Sequence, residues 1–206
     1  MTETISPECL DTLLDELAEH GWSLQRSFIA PTLTAELAAE CRKRAGSGAL
    51  RPAGIGRGDA QQIRESIRGD LIEWVEADQA PCVAQYLALL ETLRIELNQQ
   101  LYLGLEDFEG HFALYPPGAF YKAHLDRFKS DDKRSISTVL YLNEHWQASD
   151  GGQLRLHLDA QTIDVQPTGG DLIVFRSADI LHEVLAASRE RLSLVGWFRR
   201  RGDGPL

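Results

Sequence analysis

Cysteine is scarce. Cys9, Cys41 and Cys82 are the only three in 206 residues, an odd number at spacings that suit neither a disulfide framework nor a thiolate metal site. Long apolar runs are missing as well: no stretch approaches the roughly 20 residues needed to cross a bilayer. The opening Met1-Thr2-Glu3-Thr4 lacks the basic and apolar regions of a signal peptide. A reducing, cytoplasmic setting is therefore expected, with no membrane partner and with buried or incidental thiols. Basic charge is in deficit too. Against 31 Asp+Glu there are 21 Lys+Arg, a net charge of −10, which argues against nucleic-acid binding because phosphate backbones select basic faces. The basic cluster Arg199-Arg200-Arg201 reads as a solvated tail.

What is present is ordinary for a globular chain: 43% hydrophobic and 25% charged residues, enough for one domain with a real core over 1–206. The first part, 1–103, reads as mainly helical support. Ser6-Pro7 offers an N-cap and a proline at the first helical position, Leu10, Leu13, Leu14 and Leu17 mark one stripe, and Gly21 ends it. A second helix starts near Pro31, with Leu33, Leu37 and Cys41 inward, and stops before Gly46. A third spans about 81–101 with Val83, Leu87, Leu90, Leu93 and Leu97 on one side. Between them, 47–66 is rich in Gly and Arg without periodicity and reads as an exposed loop. After Gly104 the pattern turns to β. Short β-branched and aromatic runs at 111–115, 136–142, 153–158, 162–165, 171–175 and 192–198 are separated by turn clusters such as Pro116-Pro117-Gly118. Over 104–200 they suggest a sandwich or barrel, with the early helices packed along one sheet.

One constellation carries chemistry. His124-Leu125-Asp126 places an imidazole and a carboxylate on one face of a strand, since alternate side chains share a face. A third ligand must come from a different strand, and His182 follows the apolar 171–175 run at a short distance. Two imidazoles and one carboxylate hold one face of an octahedral metal and leave three positions open, as in non-heme Fe(II) oxygenases and unlike a closed zinc site. Arg191, downstream of the second histidine, suggests a dicarboxylate beside the metal, and 2-oxoglutarate is the obvious candidate. The remaining histidines read as bystanders. His20 ends a helix, and His111, His145 and His157 have no carboxylate at a useful spacing, while Asp131-Asp132 reads as a solvated loop.

From Ile67 to Phe198 the sequence resembles the prolyl-hydroxylase-domain (Egl-9-like) branch of the Fe(II)/2-oxoglutarate dioxygenases. The matching pieces are Ile67-Arg68-Gly69-Asp70 with Trp74, then Tyr115-Pro116, Tyr121, His124-Leu125-Asp126 and Arg134. Tyr141-Leu142-Asn143, Trp146, Gly151-Gly152-Gln153-Leu154-Arg155, His182-Glu183-Val184, Arg191 and Trp197 follow in the family's order. The Tyr115-to-His124 segment is one residue shorter than in the family and the loop before Arg134 one longer. Val195 stands where animal members carry a hydroxyl, so oxygen-sensing behaviour is not implied.

The resemblance implies an α+β fold whose β core is a double-stranded β-helix (jelly roll, cupin-like) flanked by N-terminal helices. It implies that His124, Asp126 and His182 bind Fe(II), that Arg191 and Tyr141 hold the distal carboxylate of 2-oxoglutarate, and that Tyr115 lies near the cosubstrate's other end. O2 is the oxidant, with ascorbate as a reductant. Ser193 matches an Arg-x-Ser cosubstrate motif of other oxygenases, or else faces the opposite way. Trp197, Arg134, Tyr121 and, from the 47–66 finger, Arg57 would line the substrate pocket. The implied substrate is a prolyl residue in a protein, hydroxylated at C4. Bacterial-type members without a further domain act on elongation factor Tu. A free amino acid or small metabolite as substrate, or a non-catalytic metal-binding sensor, are the competing expectations, and no feature of the sequence sets an oligomeric state.

Overall fold

The computed structural model describes residues 4–54, 66–126 and 133–201. Among these residues three α-helices form where proline punctuates the chain: α1 (Pro7–His20), α2 (Pro31–Gly46) and α3 (Pro81–Leu101), each with proline in its first turn, where its missing N–H costs nothing. Ser6 caps α1 by accepting from Cys9 N at 3.2 Å, and Gly21 ends it in the left-handed region. The buried face of α3 is wider than a single stripe. Tyr86 and Leu89 are inside along with Val83, Leu90, Leu93 and Leu97, while Leu87 is only half-buried.

Eleven strands follow the chain among the described residues: β1 (Trp22–Gln25), β2 (Arg51–Pro52), β3 (Leu71–Trp74), β4 (Leu105–Tyr115), β5 (Tyr121–His124), β6 (Arg134–Tyr141), β7 (Leu154–His157), β8 (Thr162–Val165), β9 (Leu172–Arg176), β10 (Leu181–Val184) and β11 (Arg191–Arg200). They make two antiparallel sheets, one of seven strands in the order β1-β9-β6-β11-β4-β3-β2 and one of four in the order β5-β10-β7-β8. This is the jelly-roll sandwich that the sequence predicts. The larger sheet is buried on both faces. Along β4, Phe112 and Leu114 join the helices in one core, while Ala113 and Tyr115 join the core between the sheets. Burial on both faces explains why 172–175 reads as an unbroken apolar run.

Three short strands of the larger sheet, β1, β2 and β3, lie in the part that the sequence reads as helical. At two to four residues each they are too short to show a period of two. The arginine run is not a tail. Arg199 and Arg200 end β11, and Arg199 pairs with Asp107 at 2.7 Å and Glu109 at 2.7 Å on β4. Charged side chains at a sheet end resemble a solvated tail in sequence because their partners lie a strand away.

Candidate active site

The smaller sheet brings the two histidines together. His124 closes β5 and lies directly opposite His182 of β10 in antiparallel register, and Asp126 follows just beyond the strand. Asp126 Oδ1 is 3.6 Å from His124 Nε2, Oδ2 is 3.6 Å from His182 Nε2, and the three donor atoms lie within 4.8 Å of one another. The tautomers follow from the backbone. His124 Nδ1 is 2.8 Å from Lys122 O and His182 Nδ1 is 3.0 Å from Ile180 O. A carbonyl only accepts, so each Nδ1 carries a proton, and Nε2 is the atom that each neutral ring can offer to a metal. Asp126 is 7% exposed and accepts a bond from Ser137 Oγ at 2.7 Å. Burial alone would raise its carboxyl, but His182, His124 and Ser137 outweigh it and hold the group well below the usual carboxylate range. Burial in turn pushes His182 below its ordinary value, against the pull of Asp126. Two neutral imidazole nitrogens and one carboxylate oxygen, converging from one side, fit a divalent cation with open positions.

Deeper between the sheets is a buried charge with no counter-charge among the described residues. Arg191, at the start of β11, is 1% exposed. Its Nε donates to Gly152 O at 2.8 Å and its Nη1 to Ser193 Oγ at 3.4 Å, whereas Nη2 has no partner among the described residues. Ser193 therefore faces the same way as Arg191. Beside the guanidinium, the Tyr141 and Tyr115 rings lie 5.3 and 5.2 Å away, and the Tyr141 hydroxyl is buried with no hydrogen-bond partner among the described residues. Burial pushes both phenols up, so each keeps its proton and can donate. A buried cation with an idle N–H beside an idle O–H is costly unless an anion completes it. A ligand carboxylate fits both atoms.

Local sequence explains this arrangement. Asn143 Oδ1 accepts from Leu192 N at 2.7 Å while its Nδ2 donates to Pro167 O and Leu192 O, fixing the start of β11 beside β6. Gly152, at φ +70°, turns its carbonyl to Arg191, and a Cβ there would lie 2.9 Å from Ala187 Cβ. These contacts give the Tyr141-Leu142-Asn143 and Gly151-Gly152 motifs a physical reason.

A pocket connects the acid–imidazole cluster to Arg191 and opens past the exposed Leu125. Tyr115, Val139, Leu154, Val184 and Val195 line its apolar walls. At the mouth, Tyr121 stacks on His124 with centroids 3.6 Å apart, and Arg68, paired to buried Asp70 at 2.6 Å, lies over Tyr121. Arg134 stacks 3.5 Å over Trp197 and pairs with Glu109 at 2.8 Å. The site thus gathers His124, Asp126, His182, Arg191, Tyr141, Tyr115, Tyr121, Arg134 and Trp197. Arg57 and most of the 47–66 loop lie outside the described residues, as do Asp131 and Asp132.

Two histidines differ from the sequence expectation or extend it. His157 does have a carboxylate partner, since its Nε2 is 3.0 Å from Glu183 Oε1 across the β7–β10 pair. Cross-strand register made that pair, and chain spacing conceals it. His111 is no ligand. It is 1% exposed between Trp74 and Trp197, and burial, helped by Arg68, pushes its imidazole down to about 3. The unfolded chain binds this proton near 6.5 and the folded one does not. Stability is therefore expected to fall as pH drops from about 6.5 towards 3, by as much as ~4 kcal/mol. His111→Leu should flatten that part of a denaturant midpoint-versus-pH curve, and an unchanged slope would refute the assignment.

Residues 110–199 match the model of the 2OG-Fe(II) oxygenase superfamily. Mouse prolyl hydroxylase EGLN3 is 30% identical over 161 residues, which cover 74% of this chain and 67% of that protein. Human Egl nine homolog 1 is also 30% identical, but the match covers only 33% of its length. The crystal structure of a Pseudomonas putida prolyl-4-hydroxylase superposes with a TM-score of 0.87 at 56% identity, covering 94% of this chain and 100% of that one. A prolyl hydroxylase from Trichoplax adhaerens, in complex with a hypoxia inducible factor peptide, shares the fold at TM-score 0.85 and 23% identity. With family, fold and donor set in agreement, the chain belongs to the prolyl hydroxylase branch of the 2OG-Fe(II) oxygenase superfamily and is a 2-oxoglutarate-dependent dioxygenase that uses Fe(II), 2-oxoglutarate and O2.

Proposed function

We propose that this enzyme hydroxylates C4 of a prolyl residue in a protein substrate, with elongation factor Tu as the candidate target. In this reading His124, Asp126 and His182 hold Fe(II), and Arg191 with Tyr141 holds the distal carboxylate of 2-oxoglutarate. Arg191, a buried guanidinium facing no carboxylate among the described residues, is the observation that carries it. When bound, the iron supplies oxidative decarboxylation of the cosubstrate to succinate and CO2 and delivers oxygen to the substrate C–H bond. The chain supplies position. Arg191 fixes one end of the cosubstrate through a planar fork, and Tyr141 adds a neutral donor from the adjacent strand. Tyr115, Val139 and Val195 keep water from the interior, and Trp197, Arg134 and Tyr121 present an aromatic and cationic mouth to the prolyl ring.

The opening past Leu125 suits a peptide segment better than an enclosed metabolite cavity. The named activity of the Pseudomonas putida relative supports C4 as the site of attack. The direct test incubates the purified enzyme with Fe(II), 2-oxoglutarate and elongation factor Tu, followed by peptide mapping. The expected result is one proline gaining the mass of one oxygen, with succinate formed in step. Turnover stimulated by free proline but not by the protein would favour the metabolite reading, and no modified proline would remove this partner.

A further inference from the structure

Strand β6 carries more of the site than Tyr141. Period-two alternation places Ser137, Val139 and Tyr141 on the face of β6 turned towards the smaller sheet, so a hydroxyl stands at the metal end of the same row that ends in the cosubstrate phenol. Ser137 Oγ is 2.7 Å from Asp126 Oδ2 and 2.8 Å from Ser177 Oγ. A carboxylate accepts only, so Ser137 spends its proton on Asp126 and must accept from Ser177. The chain therefore runs one way, from Ser177 to Ser137 to Asp126. Ser177 follows β9, neighbour of β6, and its backbone N donates to Ser135 O at 3.0 Å, which anchors the far end. Both serines are fully buried, so no solvent stands ready to replace either hydroxyl.

We propose that Ser137 and Ser177 are positioning residues that clamp Asp126 Oδ2, leaving Oδ1 as the oxygen offered to the metal and so keeping a coordination position open. The proposal rests on the assignment of Asp126 as a ligand. A carboxylate free to rotate can turn both oxygens to a cation, and each extra oxygen bound closes a position that cosubstrate or O2 needs. The hydroxyl on Oδ2 opposes that rotation. Neither serine lines the pocket, so the effect reaches the metal only through Asp126.

The test is equilibrium binding of Mn(II) alone to the metal-free protein, together with the ligand-field spectrum of bound Co(II). Ser137→Ala should shift the Co(II) spectrum as the freed carboxylate turns a second oxygen to the metal, and move Mn(II) affinity roughly 10–100-fold from wild type, the usual size of the effect of losing a ligand's supporting bond. Ser137→Thr, which keeps the hydroxyl, should restore both. Ser177→Ala should lie between wild type and Ser137→Ala, and it carries the test if Ser137→Ala does not fold. Wild-type affinity and spectrum in both alanine variants would overturn the clamp. Failure of the wild-type protein to bind Mn(II) would remove the metal assignment and the clamp together.

Discussion

Asp126→Ala is expected to give a folded protein that no longer gains stability from divalent metal and does not turn over 2-oxoglutarate. The reason is charge. Of the three donors, an imidazole binds a metal through a neutral Nε2 while its Nδ1–H is held by Lys122 O or Ile180 O, so Asp126 brings the only formal negative charge to the cluster. Two neutral nitrogens cannot offset the dehydration of a divalent cation as two nitrogens and a carboxylate can. For wild type, metal at a hundred times its Kd adds about 2.7 kcal/mol of stability, a rise of roughly 5–10 °C in Tm for a chain of this size. In Asp126→Ala that rise should vanish, and the metal-free Tm, which also registers the lost Ser137–Asp126 bond, is measured beside it to separate lost binding from lost folding. A full metal-induced rise in the variant would show that Asp126 is not a ligand.

How much of this site was legible in the sequence depends on the distance over which each feature is encoded. His124 and Asp126 were readable because their spacing is local, although β5 ends at His124 and a bend rather than strand alternation carries Asp126 to the cluster, and the helix ends because proline and glycine act on their own backbone. That His182 lies opposite His124 depends on the register of β5 with β10, a four-residue pairing between segments more than fifty residues apart. Only the family resemblance could supply that pairing in advance. The pairs His157–Glu183 and Arg199–Asp107 stayed hidden for the same reason, since each joins strands whose register is a tertiary outcome. Ser137 was within reach, because it shares the parity of Tyr141 on β6. Ser177 was not, because it lies past the end of β9 and meets Ser137 only through the packing of that strand.

Arg191→Ala is expected to weaken 2-oxoglutarate binding on the order of a hundredfold to a thousandfold while leaving metal affinity intact. Truncating one member of a buried, hydrogen-bonded charge pair costs about 2–5 kcal/mol, and here the ligand carboxylate would be left facing only Tyr141 and Ser193 in a dry cavity. Arg191→Lys should not rescue, because an ammonium lacks the planar fork that meets both carboxylate oxygens. The stability of the ligand-free protein discriminates further. A guanidinium used structurally would leave a less stable protein when removed. Arg191, however, is buried with Nη2 unpaired and no carboxylate against it among the described residues, so its charge is desolvated without compensation until the cosubstrate arrives. Its loss should therefore remove packing and the bond to Gly152 O, offset by relief of the desolvated charge, and should abolish the further rise that 2-oxoglutarate gives the metal-bound protein. A large fall in the ligand-free Tm, with cosubstrate affinity preserved, would make Arg191 a structural residue and leave the idle Tyr141 hydroxyl as the principal donor to the ligand.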